Sequence, residues 1–190
     1  MGLIFDHWYV YRGITLRLIL SIAKLFLALK KYWYYFFYRN INLLRVKKHR
    51  GELFIGGPTL LSKNTILNAN PNFNGMVIKG TGEVTFGDNF HSGESCLIIT
   101  DNHDFDGGDA VPYGDKVISK SVTIGDNVWL GDRVLILGGA NIGEGAIVQA
   151  GSVVVGKIPA LAIIGGVPAT PFKSRDADNY YKLKSLGKFH

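Results

Sequence analysis

The chain of 190 residues has a single cysteine, Cys96. That excludes an internal disulfide and any zinc site built on several cysteines. Charged residues are few, at 19%, while apolar residues reach 47% and the 24 glycines follow no G-X-Y period. A disordered tail and a collagen-like rod are thereby excluded. Phosphate-binding glycine patterns are missing too: there is no Walker-type loop and no GxGxxG at a strand–helix junction. Acid is nearly absent from residues 1–50, where ten Lys or Arg face Asp6 alone. Residues 51–190 carry eleven against fourteen acids, so the net charge of +6 belongs to the first quarter of the chain. A nucleic-acid enzyme carries its basic patch on its working domain. Here the basic part is apolar and aromatic, which argues against nucleic acid and points to an anionic membrane surface.

No uninterrupted apolar run of the roughly 20 residues needed to span a bilayer is present. The longest candidate, Ile14–Leu29 (ITLRLILSIAKLFLAL), has Arg17 and Lys24 inside it. At 100° per residue, Arg17, Ser21, Lys24 and Lys31 fall within an arc of about 80°, and the rest of the surface is almost wholly apolar. Tyr32–Tyr38 (YWYYFFY) follows, and such rings favour the headgroup region. Lys30, Lys31 and this bulky run stand where a signal peptide would have its small-residue cleavage site. An in-plane helix with snorkelling Arg and Lys is the expectation. Packing on the body or on sister subunits, and a true span, are the competing readings.

From residue 84 a period of six takes over. Ile118, Ile124, Leu130, Ile136, Ile142, Val148, Val154 and Ala160 are spaced by six, and glycine follows at Gly125, Gly131 and Gly143. Four residues after each aliphatic comes a second small or branched residue: Val122, Val128, Val134, Ala140, Ala146 and Ser152. Phe86, Ser92 and Ile98 keep the same spacing upstream, and residues 52–83 read as more degenerate coils. Six fits neither a helix nor an alternating strand; it fits a parallel β-helix whose aliphatics stack into a ladder. Residues 104–117 (DFDGGDAVPYGDKV) interrupt the repeat as an acidic, glycine-rich excursion. Loops of that kind commonly carry function.

The run Ile124–Val154 followed by Gly165–Asp176 (GGVPATPFKSRD) resembles the hexapeptide-repeat acyltransferase superfamily, in its polysaccharide and sugar O-acetyltransferase branch. The resemblance covers about residues 84–176. It implies an all-β, left-handed parallel β-helix, placed over residues 51–172; the helical segment 1–50 read above precedes it, and the tail, 173–190, reads as a short helix after Arg175. It also implies a homotrimer, with acetyl-CoA in the groove between neighbouring prisms. Gln149, Gly138 and Val167 depart from the family's usual glycine, proline and asparagine at those places.

His103, in TDNHDFDGG, stands where the coil gives way to the excursion and matches the family's catalytic histidine. A hydroxyl attacking a thioester must lose its proton, and an imidazole can accept it near neutral pH. Asp104 and Asp101 flank it as candidates to orient the ring, as does Glu94, while the loop acids could equally be a solvated surface. The resemblance places Trp129 near the pantetheine arm, Gly139 and Ala150 along the donor groove, and Lys173 and Arg175 at the CoA phosphates. Only His91 and His103 lie within the repeat, too few for a three-histidine zinc site, so no metal is expected. Cys96 reads as a core residue.

The resulting expectation is an acetyl-CoA-dependent O-acetyltransferase acting on a glycan hydroxyl, a lipid-linked sugar or a surface-polysaccharide precursor. His103 is its base, backbone N–H groups its oxyanion donors, and the cytoplasmic face of the membrane its location. The rivals are an N-acetyltransferase acting on an amino-sugar nucleotide and a catalytically silent, membrane-anchored scaffold.

Overall fold

The computed structural model describes residues 3–189, with side chains from Leu16 onward. The side chains of His7, Ile14 and His190 therefore lie outside the described residues. Helix α1 (Leu3–Arg45) comes first. The chain then winds through short strands that stack into three sheets of six, seven and five strands. These are the faces of a triangular β-solenoid, here termed A, B and C. Face A runs from Lys48–His49 to Lys157–Ile158, and face C from Thr59–Leu60 to Val153–Val154. Face B runs from Phe54–Ile55 to Ala162–Gly166 and is closed by the antiparallel strand Ala169–Ser174. Each turn visits A, B and C in order, and helix α2 (Ala177–Ser185) follows the last turn.

Register explains the period. Leu67, Phe86, Ile124, Ile142 and Ile158 pair in succession along face A, and Phe73, Ser92, Leu130, Val148 and Ile164 along face B. All point inward and are buried, as are the intervening Val122, Val128, Val134, Ala140, Ala146 and Ser152. In the wider early coils Phe73, Phe86 and Phe90 fill the axis, with ring centroids 4.6–5.2 Å apart. The glycine after the aliphatic is required because the corners stack closely. A Cβ on Gly131 would sit 2.6 Å from the Ala150 nitrogen, and one on Gly143 2.5 Å from that of Ala160.

The six-residue phase fails at its two ends. Ile118 lies outside the ladder, exposed on the strand Val117–Ser119 of the excursion. Ala160 is exposed as well, because Ile142 pairs with Ile158, two residues short of three full hexads. Ile158 takes the core position that Ala160 was expected to fill. Between Ile99 and Val122 the chain leaves the C–A edge as an antiparallel hairpin, Asp101–His103 against Val117–Ser119.

The last turns of α1 close the N-terminal end of the solenoid. Asn42 is fully buried: its Nδ2 donates to the Thr59 carbonyl at 2.9 Å, and its Oδ1 accepts from the Leu61 amide at 2.8 Å. Tyr35 meets Phe54, and Tyr38, Leu43 and Val46 pack on the core. The aromatic run is thus divided: Tyr34, Tyr35 and Tyr38 are half-buried on the body side, while Tyr32, Trp33, Phe36 and Phe37 are exposed.

Helix α2 is capped by Asp176, whose carboxylate accepts from the Asn179 amide, and lies against the A–B edge. The Tyr180 hydroxyl donates to Glu144 at 2.8 Å and accepts from Asn127 at 2.9 Å, while Lys184 pairs with Glu144 at 2.5 Å. Desolvation pushes the Glu144 carboxyl up, but the bonds from Lys184 and Tyr180 hold it below its ordinary value.

Candidate functional site

His103 ends the first strand of the hairpin, opposite Val117. Its ring is stacked on Tyr113, with centroids 3.8 Å apart and planes 17° from parallel. Its Nδ1 is buried and has no hydrogen-bond partner among the described residues. The stacking is possible because the excursion folds back over its own neck. Asp104 makes that neck: it pairs with Lys116 at 2.5 Å, accepts from the Gly107 amide at 2.8 Å, and its own amide donates to the Lys116 carbonyl. The Lys116 bond, with the Gly107 amide behind it, lowers the Asp104 pKa.

Neither flanking carboxylate hydrogen-bonds the His103 ring. Asp101, two residues before His103 and so on the same face of the strand, is engaged elsewhere: it staples the hairpin base to the turn before it. It accepts from the Thr81 amide at 2.9 Å and from the hydroxyls of Ser119, Thr81 and Thr100 at 2.7–3.0 Å. Against the upward push of its own desolvation, these bonds bring the Asp101 carboxyl down to about 2. Within this chain both acids hold the loop, and Tyr113 holds the ring. Glu94 is exposed on the B–C edge, away from the hairpin.

Gly139 lies beside this hairpin at the C–A edge. Its amide is engaged with the Ser121 carbonyl at 2.9 Å and is not free for an oxyanion. A Cβ on the preceding Gly138 would stand 2.7 Å from the Thr100 carbonyl, a contact a proline there would also meet.

Trp129 belongs to a different side of the prism. On face B the outward ladder reads Phe54, Asn72, His91, Trp129, Ile147, Ile163 and Lys173. Trp129 is half-exposed there, and Ala150 stacks over Gly131 at the adjoining B–C edge. A cavity of about 560 Å³ opens between this ladder and α2, lined by Asn72, Asn89, His91, Trp129, Arg175 and Tyr180 among others. Lys173 stays exposed at the end of the ladder. Arg175 does not: its guanidinium donates to the Gly145 carbonyl at 3.3 Å and lies 4.9 Å from the Tyr180 ring centroid. Its first role is to fix the tail.

The sequence-predicted residues therefore fall into two groups. His103 and Gly139 sit at the C–A edge; Trp129, Ala150 and Lys173 sit on face B and its far edge. No single chain brings them together. Asn72 and Tyr113 escaped the sequence reading. Asn72 lies in a degenerate coil, 19 residues before its ladder neighbour His91, so the hexad does not mark it, and the Tyr113–His103 stack depends on a loop path that no period encodes. The buried Cys96 thiol contacts the Gly131 carbonyl, and burial pushes its pKa up, so it is a core group. Among the described residues no three His, Cys, Asp or Glu cluster as metal ligands would.

Residues 121–156 match the family model described as bacterial transferase hexapeptide (six repeats). The galactoside O-acetyltransferase of Escherichia coli (strain K12) is 32% identical over 114 residues, 60% of this chain and 55% of that one. A candidate lipopolysaccharide-biosynthesis O-acetyl transferase of the same organism, WbbJ, is 51% identical over 55 residues, 29% of this chain and 28% of that one. The chain spans about half the length, or less, of the curated relatives it matches. Among solved structures, a galactoside acetyltransferase in complex with coenzyme A shares the fold, with a TM-score of 0.53, 24% identity, and coverage of 70% of this chain and 67% of that one. With a hexad ladder over residues 121–156, an excursion led by His103 before it and these relatives in agreement, the chain belongs to the hexapeptide-repeat acetyltransferase superfamily.

Proposed function

We propose that the chain is an O-acetyltransferase that moves acetyl from acetyl-CoA to a hydroxyl of a glycan, either a lipid-linked sugar or a surface-polysaccharide precursor. It works as a homotrimer with each site built between two copies. The placement of His103 carries this reading. Its ring is held by Tyr113 at the C–A edge, while the half-exposed Trp129 and the face B cavity lie on another side of the same prism. Neighbouring prisms packed edge to face bring one copy's His103 to another copy's Trp129. Two relatives named for O-acetyl transfer to a galactoside or in lipopolysaccharide biosynthesis support a sugar hydroxyl as acceptor.

With Nδ1 sealed from solvent, Nε2 is the nitrogen left to take a proton. The acceptor oxygen forms its bond to the thioester carbonyl carbon as its proton passes to His103, the C–S bond then breaks, and the departing thiolate recovers the proton. The face of the Tyr113 ring stabilises the imidazolium in between. Asn72 and His91 offer polar groups beside Trp129 for a sugar, whose apolar ring face suits an indole. Lys173 is the exposed cation left for the CoA phosphates.

His103→Ala should lower kcat by a factor on the order of 10² to 10⁴ in a thiol-release assay with acetyl-CoA and a sugar acceptor. Trp129→Ala should lower activity as well. Trimers assembled from a mixture of the two variants should regain part of the wild-type rate, because some sites then receive both native residues. Full turnover by folded His103→Ala protein would remove the base assignment. Mixed trimers with no recovered activity would remove the two-copy site.

A further inference from the structure

We infer that α1 lies in the surface of an anionic bilayer, its apolar face in the lipid and the solenoid held on the water side. This goes beyond the acetyl-transfer reading and does not rest on it. Residues 16–45 contain six cations and no acid. Residues 16–33 are all exposed, so the helix leaves the body with eleven large apolar side chains uncovered.

What decides the orientation is where α1 meets the solenoid. The contacts are made by Tyr35 on Phe54, by Tyr38 on the core and by Asn42 on Thr59 and Leu61. On a regular helix these three residues share a sector of about 100° with Arg17, Ser21, Lys24 and Lys31. Ile19, Ile22, Phe26, Leu29, Trp33 and Phe37 occupy a sector about 80° wide on the opposite side. The polar stripe thus faces the side on which the solenoid sits, and the opposite sector, apolar from Ile19 to Phe37 and polar only at Asn40, which bonds the Phe36 carbonyl, faces away from it. A flat apolar phase on the far side meets hydrocarbon along the whole exposed length while the solenoid remains in water.

The same pattern argues against a sister helix as the cover. A coiled-coil seam is a narrow stripe between polar flanks, whereas here Leu18 and Leu25 on one flank and Leu16 and Leu27 on the other are also exposed. One or two helices would leave much of that surface wet; acyl chains surround it. Among the described residues no helix is long and apolar enough to cross a membrane. Lys30 lies off the stripe but bends over the Tyr34 ring, 5.4 Å from its centroid, and so keeps its charge on the body side.

The full chain should float with vesicles of phosphatidylglycerol and phosphatidylcholine and bind phosphatidylcholine vesicles far less. Arg17→Glu, Lys24→Glu and Lys31→Glu together should weaken binding to the anionic vesicles about tenfold or more. Immersion is then read with nitroxides at Phe26→Cys and, separately, Lys24→Cys. Cys96 is buried, so in the folded protein the label goes to the introduced thiol. Accessibility to oxygen against a water-soluble nickel complex should place position 26 deep and position 24 shallow. Equal depth at both positions would mean a spanning helix and overturn the inference. A protein that stays in the lipid-free fraction, with spin–spin broadening at position 26, would mean that sister helices cover α1 and would overturn it too. None of these readouts uses acetyl transfer, so the failure of one reading leaves the other standing.

Discussion

Phe26 and Phe86 are the same side chain in two different solvents. Phe86 is 0% exposed on the axis of the solenoid, between Phe73 and Phe90; Phe26 is 66% exposed on the free stretch of α1. The solenoid satisfies its apolar residues internally, each coil burying the next. The free part of α1 satisfies none, and its composition suits a phase outside the protein. Apolar content alone therefore says little about the role of a segment; its period says much more. A repeat of six closes on itself, while a surface apolar nearly all round a helix needs a partner.

The sharpest way to break the comparison is to truncate both rings. Phe86→Ala should destabilise the fold by about 3–5 kcal/mol, read as a lower denaturant midpoint. Phe26→Ala should change folding stability by less than about 0.5 kcal/mol yet weaken vesicle binding. Comparable losses of stability would mean that α1 is part of the core.

A smaller effect is expected where the excursion meets the candidate base. Tyr113→Ala should lower kcat about tenfold with little change in KM, as the ring face no longer holds and stabilises the imidazolium. Tyr113→Phe should restore kcat, since it keeps the stack. A kcat that falls equally in Tyr113→Phe would point to the hydroxyl instead of the ring.

The smallest effect belongs to Asp101. Its carboxyl sits at about 2 in the folded chain against an ordinary 3.8, so the ionised form stabilises the native state. That contribution is fully present above about pH 4 and is lost as pH falls toward 2. Asp101→Asn should therefore lower the melting temperature at neutral pH, a cost of about 1 kcal/mol once solvent screening is allowed for. The gap to wild type should close in acid. A gap that persists at pH 2 would show that packing, and not charge, makes the staple.

Much of the solenoid is legible in the chain because burial in a stacked coil repeats with the coil. Ile124 to Val154 stand where the hexad puts them, and the break at residue 104 marks the excursion. Legibility ends where coil length changes: the short step from Ile142 to Ile158 displaced Ala160 from the core. At the candidate site His103 was visible as the residue at the break. Its partners were not, because Asp101 and Asp104 are taken up by Thr81, Ser119, Lys116 and Gly107, and the ring contact comes from Tyr113, ten residues away around a loop.

By itself, then, the sequence determined the period, the excursion, the histidine at its mouth and the basic, acid-poor start, since each is a local pattern of residue types. Tertiary structure alone decided which groups meet. It turned Asp101 and Asp104 into clamps of the loop, tied Arg175 to Gly145 and Tyr180, and set His103 and Trp129 on different sides of one prism. It also aligned the polar stripe of α1 with the solenoid. The physical reason is that a side chain's neighbours across coils are fixed by register and turn path, and these emerge only once the three faces have stacked.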